Sequence, residues 1–339
     1  MLLIDPASRP AILSVAPMMD WTDTHCRAFH RVLAPSALLY TEMVHANAII
    51  HGDRSKLLAM DPSEHRVALQ LGGSDPALLA HASRISADWG FDEINLNCGC
   101  PSDRVQAGRF GACLMREPAL VADCVAAMGA AVRSSAKPHV PVTVKCRLGV
   151  DDDDDFERFL AFVDTVSTAG CRTFVVHARN AWLKGLSPKE NREVPPLRYD
   201  WAYRLKSLRP ALAILVNGGI ATVDAAVDHL SHVDGVMLGR AAYHDPYVLH
   251  RLDARLNGTP ERPREALLRD YLPYVHGQLE RGVPLKHITR HILGLFLGER
   301  GGRAFRQVLS EGAHRPGAGV ELIETALACT QADGLRRSA

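Results

Sequence analysis

Two cysteines separated by one glycine, Cys98 and Cys100, are followed directly by a proline and a serine. A thiol held in such a turn can be a nucleophile, a metal ligand or a general acid. The pair alone is a weak sign of a metal site, because no second pair of ligands with zinc-like spacing accompanies it. We expect no bound metal, a packing role for Cys98 and a chemical role for Cys100, which the residues alone do not narrow further.

Gln70, Lys145 and His177 each stand at or near the end of a short apolar segment. A buried lysine is costly unless an anion accompanies it. Lys145 can therefore either stabilise the negative charge of a reduced flavin ring or form a Schiff base with a substrate carbonyl. Gln70 and His177 offer the polar groups that a cofactor with ring carbonyls and a phosphate requires. The residues taken alone leave both kinds of chemistry open.

Glycines end two further apolar segments, in Asn217-Gly218-Gly219 and in Gly239-Arg240. Glycine lets backbone N–H groups approach an anion, and a helix N-terminus can complete such a site. The guanidinium of Arg240 can add a charge-assisted contact. We predict a phosphate site here, which belongs either to a cofactor or to a substrate.

The elements that must position these residues are visible as eight short segments rich in Val, Ile and Leu. Several lack the alternation of a half-exposed strand, as expected for parallel strands buried on both faces. The predicted strands cover residues 12–16, 38–41, 67–71, 93–97, 142–146, 173–177, 213–217 and 235–238. Helical patterns lie between most of them, at residues 23–33, 76–89, 118–132, 156–168, 201–208 and 223–230.

Eight alternating units over about 240 residues predict an α/β fold of the (β/α)8 TIM-barrel type. Chemistry in such a barrel lies at the carboxyl ends of the strands, which is where the residues above fall. The strand pattern stops near residue 241, and helical patterns follow at residues 264–279, 285–297 and 320–330. We predict a catalytic barrel over residues 1–245 and a helical domain over residues 246–339.

The 339 residues are 47% hydrophobic and 23% charged, which is typical of a globular protein. We find no apolar run near the ~18 residues of a membrane span and no signal-peptide pattern, so we expect a cytoplasmic protein with reduced thiols. A net charge of +1 gives no sign of a nucleic-acid partner, although residues 281–306 hold six basic residues against one acid. A solvated helix face is the simpler explanation of that local excess.

Together these residues resemble the tRNA-dihydrouridine synthase family. The similarity extends from about residue 16 to residue 306 through segments that occur in the same order. The matching stretches are residues 16–23, 68–73, 95–105, 144–147, 176–179, 217–219 and 238–240. The stretch 178–196 resembles the A branch of the bacterial enzymes in particular.

The resemblance implies an FMN-dependent barrel that uses NADPH, with a helical tRNA-binding domain and no stable protein partner. It implies reduction of the C5–C6 bond of a uridine at position 20, with 20a as a second candidate, in the tRNA D-loop. Hydride would go to C6, and Cys100 would give a proton to C5. The implied FMN-binding residues are Pro17, Met18, Met19, Gln70, Lys145, His177, Asn217, Gly218, Gly219, Gly239 and Arg240. The implied tRNA contacts are Asn97, Arg179, Lys184, Ser187, Arg300 and Arg303.

Three places depart from the family pattern. Cys98 stands where an aliphatic residue is usual, which we expect to change packing only. Ala107 replaces an asparagine before Gly108, which puts one polar contact of that loop in doubt. Glu299 and Arg300 replace a more apolar pair, which could alter a tRNA contact.

Three other functions remain open on these observations. A small-molecule flavin oxidoreductase of the dihydroorotate dehydrogenase kind would share the barrel and the lysine, but gives no reason for a basic helical domain. A non-catalytic tRNA-binding barrel would bind no flavin. A lyase or isomerase that uses Lys145 would also lack flavin colour.

Overall fold

A computed structural model describes residues 10–335 and shows a closed barrel of eight parallel strands. Each strand pairs with the next along the chain, and the last pairs with the first. The strands are β1 (Ile12–Val15), β2 (Leu38–His45), β3 (Val67–Gly72), β4 (Glu93–Cys98), β5 (Val142–Cys146), β6 (Thr173–His177), β7 (Ala213–Asn217) and β8 (Gly235–Leu238). The predicted fold class is confirmed.

Helices surround the barrel and then continue beyond it. Those of the barrel region are α1 (Thr24–Leu33), α2 (Ala46–His51), α3 (Arg54–Leu57), α4 (Pro76–Trp89), α5 (Asp103–Ala107), α6 (Pro118–Arg133), α7 (Phe156–Thr168), α8 (Tyr199–Leu208), α9 (Val223–Leu230), α10 (Arg240–His244) and α11 (Tyr247–Asn257). Those that follow are α12 (Arg264–Glu280), α13 (Leu285–Thr289), α14 (Gly302–Gly312) and α15 (Val320–Leu335). Within residues 10–335, no helix combines the length and the apolar character that a membrane crossing needs.

The strands carry apolar side chains on both faces because helices cover their outside and other side chains fill the inside. A large buried cluster lies between the strands and the surrounding helices. The inside is closed by a plug of buried residues, which are Ala16, Leu38, Tyr40, Ala68, Val175, Leu215 and Met237. The barrel is therefore a packed scaffold, and the chemistry is left to the loops at the carboxyl ends of its strands.

Strand β2 runs to His45, four residues further than predicted, because the polar Thr41 and Glu42 interrupt its apolar pattern. Its pairing with β3 shifts register between Tyr40 and Met43. A bulge of this kind bends the strand at the rim of a barrel. The apolar run therefore predicted the buried half of β2 and missed the half that reaches the mouth.

The helices after residue 258 share a second buried cluster, which also includes Ala28, Phe29 and Leu33 of α1. Helix α11 packs instead with the barrel, through Val248 and Leu249 among others. Helix α1 also contacts β2 and α11, and so it links the barrel to the later helices. The domain boundary after residue 245 stays a prediction, and by packing α11 goes with the barrel.

The single helix predicted over residues 285–297 ends at Thr289 and gives way to a series of turns. Backbone bonds from His291 to Ile288 and from Leu297 to Gly294 span three residues instead of four. Gly294 lies against the carbonyl of His244, where an added Cβ would come within 2.3 Å of the oxygen. The apolar spacing suited a helix, but the close approach to the barrel requires a tighter backbone.

Candidate active site

Lys145 and Asn217, at the ends of β5 and β7, meet across the mouth of the barrel. The Lys145 Nζ donates a hydrogen bond to Asn217 Oδ1 at 3.0 Å. Asn217 Nδ2 donates to the Met237 carbonyl at 2.7 Å, which turns its oxygen toward the lysine. Burial, followed by the charge of Arg147, lowers the pKa of Lys145 to about 8. No carboxylate in the described part of the chain pairs with this ammonium group, so the position suits an anionic ligand.

Asn97, at the end of β4, organises the turn that carries Cys100. Its Oδ1 accepts hydrogen bonds from the backbone N–H of Gly99 at 3.0 Å and of Cys100 at 2.9 Å. Its Nδ2 donates to Gln70 Oε1 at 2.7 Å, and Gln70 is itself buried on β3. The side chain of Asn97 therefore fixes the turn, and one of its two amide hydrogens is left for a ligand.

The thiol of Cys100 is partly buried and lies near several cations. Its Sγ is 3.5 Å from Ser102 Oγ. Burial lowers the pKa values of Lys145, Arg147 and Arg192, and the negative charge of a Cys100 thiolate acts against that shift in each case. Three cationic side chains, Lys145, Arg147 and Arg192, therefore lie around Cys100.

Cys98, two residues away, points into the core and pairs in register with Cys146 of β5. Burial raises the pKa of the Cys98 thiol well above its usual range. It therefore stays a protonated, apolar side chain, which agrees with the packing role expected from the sequence.

Two arginines of the mouth, Arg147 and Arg179, have no carboxylate partner among residues 10–335. The buried Arg147 donates from Nε to the Gly99 carbonyl at 3.2 Å and from Nη1 to the Asn191 carbonyl at 2.9 Å. Arg179 donates to the carbonyls of Glu193 and Pro195, while its buried Nε has no hydrogen-bond partner in the part of the chain that the structure describes. A guanidinium that meets only carbonyl oxygens keeps its charge unbalanced, which favours a bound anion.

His177, at the end of β6, stays neutral beside this charge. Burial, followed by the charges of Arg147, Lys145 and Arg179, lowers its pKa well below the usual range. A neutral imidazole can still offer one donor and one acceptor to a ligand.

The Gly218-Gly219 turn requires glycine at both positions. Their φ angles are 111° and 71°, in the left-handed region. A Cβ on Gly218 would fall 2.5 Å from the His177 ring, and one on Gly219 would fall 2.6 Å from Leu197. The Tyr199 hydroxyl donates to the Gly218 carbonyl at 2.6 Å and holds the turn in place.

Gly239 differs, since its φ of −107° lies outside the left-handed region. An added Cβ there would meet only Ala16, at 3.9 Å. The neighbouring Arg240 pairs with Glu193, and both are partly exposed. The predicted phosphate residues thus follow the neighbouring strands β7 and β8, and one of them, Arg240, lies near Arg179.

The loop after β1 contains Pro17, Met18 and Met19 and reaches the helical part of the chain. Met18 packs against the barrel core, whereas Met19 is 58% exposed. The next residue, Asp20, has a left-handed backbone with φ of 63°. Its carbonyl accepts a hydrogen bond from Arg290, so the helical part of the chain holds this loop.

The predicted tRNA contacts Lys184, Ser187, Arg300 and Arg303 are all exposed. Lys184 and Ser187 lie in the long connection between β6 and α8, and Arg303 lies on α14. Ser187 bonds to Glu190 through its backbone N–H and its hydroxyl, and its carbonyl accepts from Asn191. Exposure suits a contact with a large partner, and these four roles stay predictions.

The sequence predicted no role in the site for Arg147, Arg192 or Ser102. Arg147 follows Lys145 by two residues, so the strand pattern places both at the same mouth, but it does not show what Arg147 contacts. Arg192 and Ser102 lie in loops, where the sequence carries no comparable signal. Across the described residues, no group of three His, Cys, Asp or Glu side chains could hold a metal ion.

The model for the family described as dihydrouridine synthase matches residues 14–331. Three relatives named tRNA-dihydrouridine(20/20a) synthase are similar over nearly full length. The protein of Xanthomonas axonopodis pv. citri is 75% identical, with 93% of this chain and 92% of that protein covered. The Xylella fastidiosa strain 9a5c protein is 67% identical, covering 93% and 91%, and the Vibrio cholerae protein is 55% identical, covering 93% and 95%.

A solved complex of 2-naphthoyl-CoA reductase shares the fold alone. Its TM-score is 0.55 at 10% identity, over 73% of this chain and 50% of that one. The match to the family model and the long, highly identical relatives are decisive for the assignment: the chain is an enzyme that belongs to the dihydrouridine synthase family.

Proposed function

We propose that this chain reduces uridine in the D-loop of tRNA to dihydrouridine, at position 20 and also 20a, with FMN as cofactor and NADPH as reductant. The observation that carries the proposal is a thiol held at the edge of a cationic, carboxylate-poor pocket at the mouth of a barrel. The positions follow the printed names of the relatives. A cytoplasmic location, where tRNA is modified, belongs to the same proposal.

The mouth of the barrel offers groups that suit both the ring and the phosphate of a flavin mononucleotide. Lys145 and His177 would face the polar edge of the ring, beside Gln70. Gly218, Gly219 and Arg240 would hold the phosphate, where glycine backbone and guanidinium groups meet. The unpaired Nε of Arg179 gives a further donor on that side, so Arg179 suits a phosphate as well as the uracil contact first expected.

Bound there, FMN would supply hydride equivalents from NADPH to C6 of the uracil. Cys100 would supply the proton: its S–H bond breaks, a C5–H bond forms, and a thiolate remains. Solvent would then reprotonate the thiolate, which lies near the cations Lys145, Arg147 and Arg192. Asn97 would donate its remaining amide hydrogen to a uracil carbonyl.

The substrate base must leave the folded tRNA before it can reach this pocket. Unstacking a base costs a few kcal/mol, which contacts with the rest of the tRNA must offset. Met19 and several residues of the β6–α8 connection are exposed in loops that follow strand ends, so we expect them to border the entry of such a base.

Replacing Arg303 by alanine should weaken tRNA binding a few-fold and lower the salt dependence of binding by about one phosphate contact. Arg303 is exposed on α14, in the basic segment of the chain. Titrations of tRNA at several salt concentrations measure both effects. Arg133 gives a matched control, because it ends α6 at the opposite face of the barrel. Equal losses in Arg303→Ala and Arg133→Ala would contradict a tRNA surface at α14.

Purified protein with FMN, NADPH and unmodified tRNA transcript tests the proposed reaction. We expect a yellow protein that converts uridine in tRNA, seen as a mass gain of two hydrogens, and that leaves free pyrimidines unchanged. Preferential turnover of free pyrimidines would favour a small-molecule oxidoreductase. A protein that takes up no flavin would contradict the proposal and favour a non-catalytic barrel.

A further inference from the structure

Five buried polar side chains form a continuous row of hydrogen bonds across the inside of the barrel. The row runs from the Cys100 turn at the mouth to a carboxyl group at the start of β4. We call it the amide row, and its members are Asn97, Gln70, Asn95, Thr143 and Glu93. Every member is less than 9% exposed.

The four bonds of the amide row are short and point the same way. Asn97 Nδ2 donates to Gln70 Oε1 at 2.7 Å, and Gln70 Nε2 donates to Asn95 Oδ1 at 2.8 Å. Asn95 Nδ2 then donates to Thr143 Oγ1 at 2.8 Å. Thr143 Oγ1 donates to Glu93 Oε1 at 2.6 Å. Each donor is therefore on the side of the mouth, and each acceptor is on the side of Glu93.

The two ends of the amide row set this direction independently. At the mouth, the backbone N–H groups of Gly99 and Cys100 can only donate, so Asn97 must present its oxygen to them. At the other end, Oε1 of Glu93 accepts from Thr143 and also from the Tyr40 hydroxyl. Since an amide can be flipped in place, its orientation is decided by such partners. Both ends demand the same orientation of all three amides.

The charge state of Glu93 does not disturb the arrangement. Burial raises the pKa of Glu93, while the bonds from Thr143 and Tyr40 oppose that shift. Burial, followed by Glu93, raises the pKa of Tyr40 well above its usual range, so the phenol keeps its proton and donates. Protonation of Glu93 on Oε2 would leave Oε1 able to accept both bonds.

We propose that Glu93, Thr143 and Asn95 are positioning residues, which orient Gln70 and Asn97 through the amide row and thereby fix the turn that holds Cys100. The inference rests on the proposed function for its effect on catalysis. Hydrogen bonds in a row of this kind polarise one another in a low-dielectric interior, so the loss of one bond weakens the others. The Thr143 hydroxyl thus helps to orient the Cys100 thiol, although it lies far from the mouth.

Thr143→Val tests the proposal because it removes the hydroxyl link and nearly keeps the volume. Thr143→Ser restores the hydroxyl and should restore the properties of the wild type. Ser14→Ala is the matched control, since Ser14 is buried in β1 and its hydroxyl donates to the Val236 carbonyl. Thr143→Ala replaces Thr143→Val if the valine variant does not fold.

Hydrogen exchange of the flavin-free protein gives the first readout. In Thr143→Val we expect the amide hydrogens of Gly99 and Cys100 to exchange about tenfold faster, with strands β6 and β7 unchanged. Dihydrouridine formation gives the second readout, with kcat about ten- to a hundredfold lower and KM for tRNA unchanged. Thr143→Ser and Ser14→Ala should resemble the wild type in both.

Equal losses in Thr143→Val and Thr143→Ser, or faster exchange spread over the whole barrel, would overturn the proposal in favour of simple packing. Unchanged exchange at Gly99 and Cys100 would overturn it as well. A wild-type protein that makes no dihydrouridine would instead contradict the proposed function, and the exchange readout would still decide the role of the amide row.

Discussion

Cys100→Ala should lower dihydrouridine formation about a hundred- to ten-thousandfold while the protein keeps its flavin and its oxidation of NADPH. The variant lacks the proton that C5 must receive, but the pocket at Lys145, Asn217 and the Gly218-Gly219 turn is unchanged. Dihydrouridine in tRNA and consumption of NADPH, measured on the same samples, separate the two half-reactions.

Cys98→Ala provides the control for a lost thiol in the same segment. Cys98 is buried in the core, and its thiol stays protonated because burial raises its pKa well above the usual range. Truncation there should cost some stability through a small cavity and leave the rate per folded enzyme near that of the wild type. Dihydrouridine formation by Cys100→Ala at the wild-type rate would remove the proposed proton donor.

Lys145→Met should raise the dissociation constant of FMN about ten- to a hundredfold, the range expected for loss of one charge-assisted contact. The charged ammonium favours an anionic ligand, and its pKa in the flavin-free protein is about 8. Flavin affinity of the wild type should therefore be greatest below pH about 8 and fall as the pH rises through that value. The methionine variant should bind weakly without this pH dependence.

The same substitution should have the opposite effect on the flavin-free protein. Because the folded-state pKa of Lys145 is lowered from 10.5 to about 8, its charge destabilises the fold below pH 8, and this penalty fades toward pH 10.5. Lys145→Met should thus raise thermal stability at neutral pH while it weakens flavin binding.

Lys206→Met is the control, since Lys206 pairs with Asp234 and lies in α8, away from the mouth. It should lose stability and keep flavin affinity. A flat pH dependence of flavin binding in the wild type would contradict the role assigned to Lys145.

The barrel could be predicted because strands buried on both faces leave continuous apolar runs in the sequence. The closed topology then forces the strand ends together, so Lys145, His177 and Asn217 could be assigned to one site although they are far apart in the chain. In the structure His177 pairs in register with Asn217, and Asn97 pairs with Lys145. Periodicity alone was sufficient to predict this much of the site.

The contacts inside the mouth could not be predicted, because they depend on side-chain directions and on loops. Nothing in the sequence indicates that the side-chain oxygen of Asn97 accepts a hydrogen bond from the Cys100 turn. Nor does it indicate that Arg147 donates to backbone carbonyls. The role as proton donor that we propose for Cys100 was implied by the family resemblance, since its position alone suited a nucleophile or a ligand as well. The turns after Thr289 escaped prediction because their apolar spacing also suits a helix.

Mapping of dihydrouridine in tRNA from a strain that lacks this gene tests the central claim most directly. We predict that uridine remains unreduced at position 20, and at 20a where a tRNA has one, and that other D-loop positions are unaffected. Wild-type protein should restore the modification, and Cys100→Ala should not. Dihydrouridine still present at positions 20 and 20a without the gene, or restored in full by Cys100→Ala, would contradict the account.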